Sequence, residues 1–304
     1  MWRSNNRQYV NKDTKVVYRG LHPLMKATCW PFYSFFAELA KFKASKRHLS
    51  HRKRELSKSS RPQDTDLRSR GLGTLVHEQL QQCVRRRTLP GLCSVCHRYT
   101  AAAAASSQKC SRSTGACKFE WHTSKRYLCS PVVSLLERLH KLSLCPVLSE
   151  HVVCEHSIRL ATSIDLICVN YEKKLMILIE VKCGYYDGMM MFSSRKMNSR
   201  FSSAECSPYN MAVLQIVCGK QMFMSQLAAF GSAAASSNLS VRCTVAHLTG
   251  TSVKLYYVDE RLEDEMALTY RRIVSAALGN KNIGRQRKWQ CQRKRQIGNK
   301  NKND

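Results

Sequence analysis

Between Ser163 and Lys182 two β-type apolar runs flank a polar turn. The runs are Ser163-Ile164-Asp165-Leu166-Ile167-Cys168 and Ile177-Leu178-Ile179-Glu180-Val181-Lys182, and the turn is Asn170-Tyr171-Glu172-Lys173-Lys174. Such a segment reads as an antiparallel hairpin. With the turn centred between Glu172 and Lys173, Asp165 falls opposite Glu180. Side chains alternate along a strand, so Glu180 and Lys182 share a face. That face carries two carboxylates and an ammonium at the end of an otherwise apolar sheet. Burying them costs several kcal/mol unless they pair or hold a cation. The same short pattern also fits an ordinary edge pair with a surface salt bridge.

Upstream, within an expected helix over 68–88, Gly71-Leu72-Gly73-Thr74 reads as a turn opening into the helical pattern with His77 near its start. Leu75, Val76, Leu80 and Cys83 supply its apolar positions. Downstream, Phe223, Leu227 and Phe230 fall at helical spacing around Gln226, over an expected helix 210–232. Other elements are legible in outline. Pro131 opens a helix to Leu142. Val147–Val153 and Ser157–Leu160 read as strands, and Ser240–Leu248 with Ser252–Val258 as a closing hairpin. Asp259 caps a last helix that ends near Leu278, before Gly279. The order of elements implies an α/β sandwich with a mixed central sheet flanked by helices.

Taken together, Gly73-Thr74-Leu75-Val76-His77, Ser163-Ile164-Asp165, Glu180-Val181-Lys182 and Phe223-x-x-Gln226-Leu227 resemble the RecB-type branch of the PD-(D/E)XK nucleases, over roughly residues 68–280. The resemblance implies a restriction-endonuclease-like core. It implies Mg²⁺ or Mn²⁺ held by His77, Asp165, Glu180 and the backbone carbonyl of Val181. By the same resemblance Lys182 positions or activates the attacking water, and Gln226 supports the site. Phe223 stands where the family often has Tyr. Glu137 and Glu150 are candidates for an outer-sphere or second-metal role, although a solvated carboxylate is the plainer reading of each. Glu78 is a poor ligand, since adjacent helical positions point about 100° apart. A weaker resemblance, carried by Glu180-x-Lys182 and the basic N-terminus, is to herpesviral basic nuclear proteins with a PD-(D/E)XK-like core.

The charge balance points to a polyanionic partner. In 304 residues there are 50 Lys and Arg against 21 Asp and Glu, a formal charge of +29. Such an excess drives salt-sensitive association with nucleic acid without specifying sequence. One basic cluster runs from Lys41 to Arg54 and another is Arg85-Arg86-Arg87. A third occupies the tail at Arg285, Arg287, Lys288, Arg293, Lys294 and Arg295. The tail has the low apolar content of a disordered arm and serves equally for phosphate contact or nuclear import. Arg195, Lys196 and Arg200 lie in a Gly/Met/Ser-rich loop expected to border the metal site and touch phosphates.

Domain organisation follows as a basic N-terminal region over 1–67, a nuclease-like domain over 68–280 with a Cys-rich insert at 89–127, and the tail 281–304. There are 15 cysteines. The start lacks the apolar stretch of a secretory signal, so a reducing compartment and free thiols are expected. Cys93, Cys96, Cys110 and Cys117 form a candidate structural zinc site, although the second pair is spaced more widely than usual. Only Cys243 and Cys291 follow the last motif, which disfavours an iron–sulfur cluster. No apolar run reaches the length of a membrane span.

The expectation is therefore a Mg²⁺-dependent deoxyribonuclease, exonuclease or flap-type, acting on single- or double-stranded DNA. A helicase or other replication or recombination protein would be its partner. Its compartment would be the nucleus in a eukaryotic or viral setting and the cytoplasm otherwise. The alternative is a nuclease-inactive nucleic-acid-binding or viral accessory protein on the same fold.

Overall fold

The hairpin expected around Tyr171 forms. Strand β5 (Leu160–Asn170) pairs antiparallel with β6 (Leu175–Cys183), from Asn170↔Leu175 to Leu166↔Ile179. Asn170 Oδ1 accepts from the Lys173 backbone N–H at 2.9 Å, and Lys174 takes a left-handed φ of 47° to close the turn. One further step in that register sets Asp165 against Glu180. The structure is a computed structural model that describes residues 2–5, 8–30, 33–51, 66–86, 128–184, 188–200, 202–229, 239–249 and 252–278.

The two edges of β5 are used differently. Along one edge runs β4 (Cys145–Glu155), antiparallel over nearly its whole length. The other edge is divided between two strands. Its start pairs in parallel with β3 (Val17–Gly20) at Leu160 and Ala161, and its end pairs with β6 from Leu166 onward. On this edge Thr162, Ser163, Ile164 and Asp165 form no ladder pair among the described residues. The sheet therefore forks beside Asp165.

Outward from the fork, β6 pairs in parallel with β7 (Ser240–Thr249), which pairs antiparallel with β8 (Ser252–Tyr257). On the other arm β1 (Trp2–Asn5), β2 (Gln8–Asn11) and β3 make an antiparallel meander. All eight strands belong to one mixed, open sheet.

Helices cover both faces. On one lie α3 (Asp66–Arg86) and α4 (Ser130–Lys141), whose Val76, Leu80, Leu135 and Leu139 pack on Leu166, Ile177, Ile179 and Val181. On the other lie α1 (Leu21–Thr28), α5 (Pro208–Ala229) and α6 (260–278), packed on Ile164, Ile167, Leu178 and Val245. Alternation along β6 thus sends Leu178 to one face and Ile177, Ile179 and Val181 to the other. Each such side chain contributes roughly 1.5–3 kcal/mol on burial. Gly219 lets α5 approach β5 closely, since a Cβ there would stand 3.2 Å from Ile164 Cγ1. Asp259 caps α6 as expected, its Oδ1 accepting from the Leu262 N–H at 2.9 Å.

Three expectations are corrected. Residues 8–30 fall within the basic region expected over 1–67, yet β2, β3 and α1 belong to the main sheet and core, with Leu21, Met25 and Trp30 buried. Strands of four residues leave too short a record of alternation to be read. The second correction concerns Ser157–Leu160, expected as strand. Residues 156–159 are a turn in which Glu155 Oε1 accepts from the N–H and Oγ of Ser157, and Arg159 has φ 51°. Third, α3 matches the expected helix 68–88 within two residues, but Gly71 and Gly73 lie in its interior rather than in a turn, and His77 sits three turns in. Each glycine costs about 1 kcal/mol there, which burial of Val76, Leu80 and Cys83 outweighs.

The candidate zinc ligands Cys93, Cys96, Cys110 and Cys117 lie outside the described residues. So do the tail residues Arg285, Arg287, Lys288, Arg293, Lys294 and Arg295. The described cysteines are free thiols, mostly buried. Among the described residues no helix is long and apolar enough to cross a membrane.

Candidate metal centre

At the fork a side chain substitutes for the missing ladder. Asp165 Oδ2 accepts from the Val181 backbone N–H at 2.7 Å, holding β6 as it leaves β5. On the opposite edge, the pairs Ser149↔Leu166 and His151↔Ile164 bracket Glu150 and set it level with Asp165. Glu150 has φ 48°. A non-glycine residue in that left-handed region costs on the order of 1–3 kcal/mol, and such outliers gather at functional sites. Glu150, Asp165 and Glu180 thus form a row of carboxylates across three neighbouring strands.

His77 reaches this row from α3. Its Nδ1 lies 2.6 Å from Glu150 Oε1 and 3.7 Å from Asp165 Oδ1. Ligand-type atoms of His77, Glu150 and Asp165 all lie within 4.8 Å of one another. Glu180 is buried beside them. Its Oε1 accepts from Lys182 Nζ at 2.6 Å, while its Oε2 is buried with no hydrogen-bond partner among the described residues. Lys182 Nζ also lies 3.5 Å from Gln215 Oε1, on α5. The group opens into a cleft of about 500 Å³ that Thr74, Glu78 and Ser163 also line.

The electrostatics follow from this crowding. Burial and the charge of Asp165 push Glu180 up to about 8, against the pull of Lys182. Burial likewise raises Asp165; His77 opposes that shift and Glu150 adds to it. For His77, burial disfavours the imidazolium. The hydrogen bond to Glu150 and the fields of Asp165, Glu150 and Glu180 outweigh it and push the ring up to about 9. Without a cation, protons hold these charges together.

Of the residues expected at the site, His77, Asp165, Glu180, Val181 and Lys182 line one cleft. Glu150, set aside as a secondary carboxylate, is hydrogen-bonded to His77 within it. Gln226 is corrected. It lies three turns beyond Gln215, about 16 Å along α5, where its Nε2 donates to Cys154 Sγ at 3.2 Å. Gln215 takes the place expected for it. The signal for Gln215 was present in the sequence, because it is the lone polar side chain between Asn210 and Lys220. Glu137 does not line the cleft. Arg195, Lys196 and Arg200 are exposed on a loop over α1 and α2, away from the cleft-lining residues. Tyr9, not foreseen, is hydrogen-bonded to Ser163, and burial raises its hydroxyl pKa despite that bond.

Fold and site together define an α/β protein with a histidine–carboxylate centre at a fork in a mixed sheet. No protein-family model, curated protein or solved structure matches the chain.

Proposed function

We propose that this protein is a divalent-metal-dependent nuclease of the PD-(D/E)XK kind, hydrolysing phosphodiester bonds in DNA. The observation that carries the reading is the buried, unpartnered Oε2 of Glu180 beside the cluster of His77, Glu150 and Asp165. An anionic oxygen without a partner in the interior costs several kcal/mol, and a cation removes that cost. The donor set is mostly carboxylate oxygen with one imidazole, which suits Mg²⁺ or Mn²⁺.

His77, Glu150, Asp165 and Glu180 would hold the ion, with the Val181 carbonyl as a further ligand by resemblance. Such an ion, when bound, offsets charge developing on the phosphate and acidifies its water. Lys182, fixed by Glu180 at the cleft, sets an ammonium where a non-bridging phosphate oxygen can be met. Gln215 acts as a positioning residue through Lys182. The excess of basic residues concentrates a polyanionic substrate around the cleft.

The test is cleavage of end-labelled linear and circular DNA, single- and double-stranded, in Mg²⁺, Mn²⁺ or EDTA, with Glu180→Gln in parallel. Metal-dependent loss of substrate, absent in the variant, is expected, and linear against circular DNA reads the need for an end. Intact DNA under every metal, with salt-sensitive binding retained, would leave a nucleic-acid-binding protein on this fold. The two glutamines separate cleanly. Gln215→Ala is expected to lower kcat about 10-fold with little change in KM, and Gln226→Ala to leave both unchanged. Equal effects would return Gln226 to the site.

A further inference from the structure

Helix α2 (Phe35–His51) stands off the sheet and is locked instead to the loop 188–200. Glu38 makes the lock. Its carboxylate is buried and accepts from the Ser194 backbone N–H at 3.1 Å and the Ser194 Oγ at 2.6 Å. Lys41 Nζ donates to Ser194 Oγ at 2.9 Å and to Glu38 at 3.3 Å. Beside it Leu39, Phe42 and Met189 form a small separate core, with Phe42 and Phe192 edge-on at 5.3 Å. The Met197 N–H bond to the Ala204 carbonyl and the Cys206 N–H bond to the Arg195 carbonyl stiffen the loop.

This lock unites two basic segments about 150 residues apart in sequence. Across α2 and the loop lie the exposed Lys41, Lys43, Arg195, Lys196 and Arg200; of the carboxylates beside them Glu38 is buried and already satisfied, and the exposed Glu205 stands opposite Lys196. Self-repulsion in such a group is relieved by a polyanion.

We infer that α2 and the loop 188–200 form one phosphate-binding platform that holds the nucleic-acid backbone outside the cleft. A lipid surface fits less well. Binding in a bilayer interface needs an apolar helical face, and among the described side chains of α2 the large apolar ones, Leu39 and Phe42, are already covered by Met189 and Phe192. Binding to phosphates alone carries no sequence preference. The platform adds to the nuclease reading a place for the substrate strand, yet its binding needs neither metal nor cleavage.

The experiment is fluorescence anisotropy of the full chain with a labelled DNA duplex in EDTA, over a range of salt concentrations. Arg195→Glu/Lys196→Glu is compared with Lys43→Glu and with a charge-matched control, Lys173→Glu/Lys174→Glu, on the exposed β5–β6 turn. Each phosphate contact contributes about 0.9 to the slope of log K against log salt. The loop double variant is expected to flatten the slope by about 2 and to weaken binding tens-fold near 0.1 M salt. Lys43→Glu should flatten it by about 1, and the control should leave it unchanged. An unchanged slope in the loop and α2 variants overturns the platform. So does an equal fall in the control, which would make the effect one of net charge. Normal DNA binding with lost binding to phosphatidylserine vesicles would assign the surface to a membrane and overturn it too. A protein that never cleaves but shows the slope deficit would sink the nuclease reading while leaving the platform standing.

Discussion

Asp165→Asn is expected to lower metal-dependent cleavage by on the order of 10³-fold or more, a loss of the size seen when a key electrostatic group leaves an active site. The substitution keeps the volume of the side chain. It also keeps an amide oxygen that can accept from the Val181 N–H, the bond that holds β6 at the fork. The fold should therefore survive, and circular dichroism should be unchanged. What disappears is the central charge of the carboxylate row. Asp165 lies within ligand distance of both His77 and Glu150, so no neighbour replaces it. Calorimetric titration with Mn²⁺ should show the high-affinity event lost, while DNA binding in EDTA stays near that of the parent. Cleavage within about threefold of the parent would remove Asp165 from the centre and leave it a structural tie for β6.

The sequence disclosed the part of this centre that depends on period-2 alternation. Asp165, Glu180 and Lys182 could be placed relative to one another because a hairpin with a polar turn has a narrow choice of registers. The fork could not be read. It depends on β3 occupying the first two positions of one edge of β5, and a four-residue strand carries almost no pattern. Glu150 was legible only as a carboxylate near a strand end. Its role follows from the register of β4, which sets it level with Asp165, and from a left-handed φ that periodicity does not disclose. Gln215 and Gln226 show a different limit. Eleven residues make close to three helical turns, so both glutamines share a face of α5 and periodicity cannot choose between them. Only the axial position of the helix against the sheet decides, and it brings Gly219 against Ile164. The motif around His77 identified the residue and its helix to within two residues, but two glycines read more readily as a turn than as the helix interior they occupy.

The same excess of buried negative charge should make the metal-free protein stabler when one carboxylate is neutralised. Glu180→Gln is expected to raise the melting temperature in EDTA at pH 8 by about 2–5 °C, corresponding to roughly 1–2 kcal/mol for a domain of this size, while abolishing cleavage. Glutamine keeps an oxygen for Lys182 Nζ, and Lys182 is partly exposed, so water satisfies what remains of its charge. The pH dependence follows from the direction of each shift. Glu180 titrates at about 8 in the folded chain and near 4.5 when unfolded. Between those values the folded state holds a proton that the unfolded state has released, so stability falls as pH rises through that window. His77, raised from 6.5 to about 9, acts in the same sense. Its stabilisation is complete below about 6.5 and is lost as pH climbs through 9. The parent in EDTA should therefore melt at progressively lower temperature from pH 5 to pH 9, and Glu180→Gln should flatten that decline. Added Mg²⁺ or Mn²⁺ takes over the role of the protons, so its stabilisation of the parent should be greatest at the alkaline end. The variant should respond to neither ion. A melting temperature for Glu180→Gln below that of the parent at pH 8 would mean that Glu180 and Lys182 are a self-sufficient ion pair. The buried oxygen would then give no reason to place a cation at the fork.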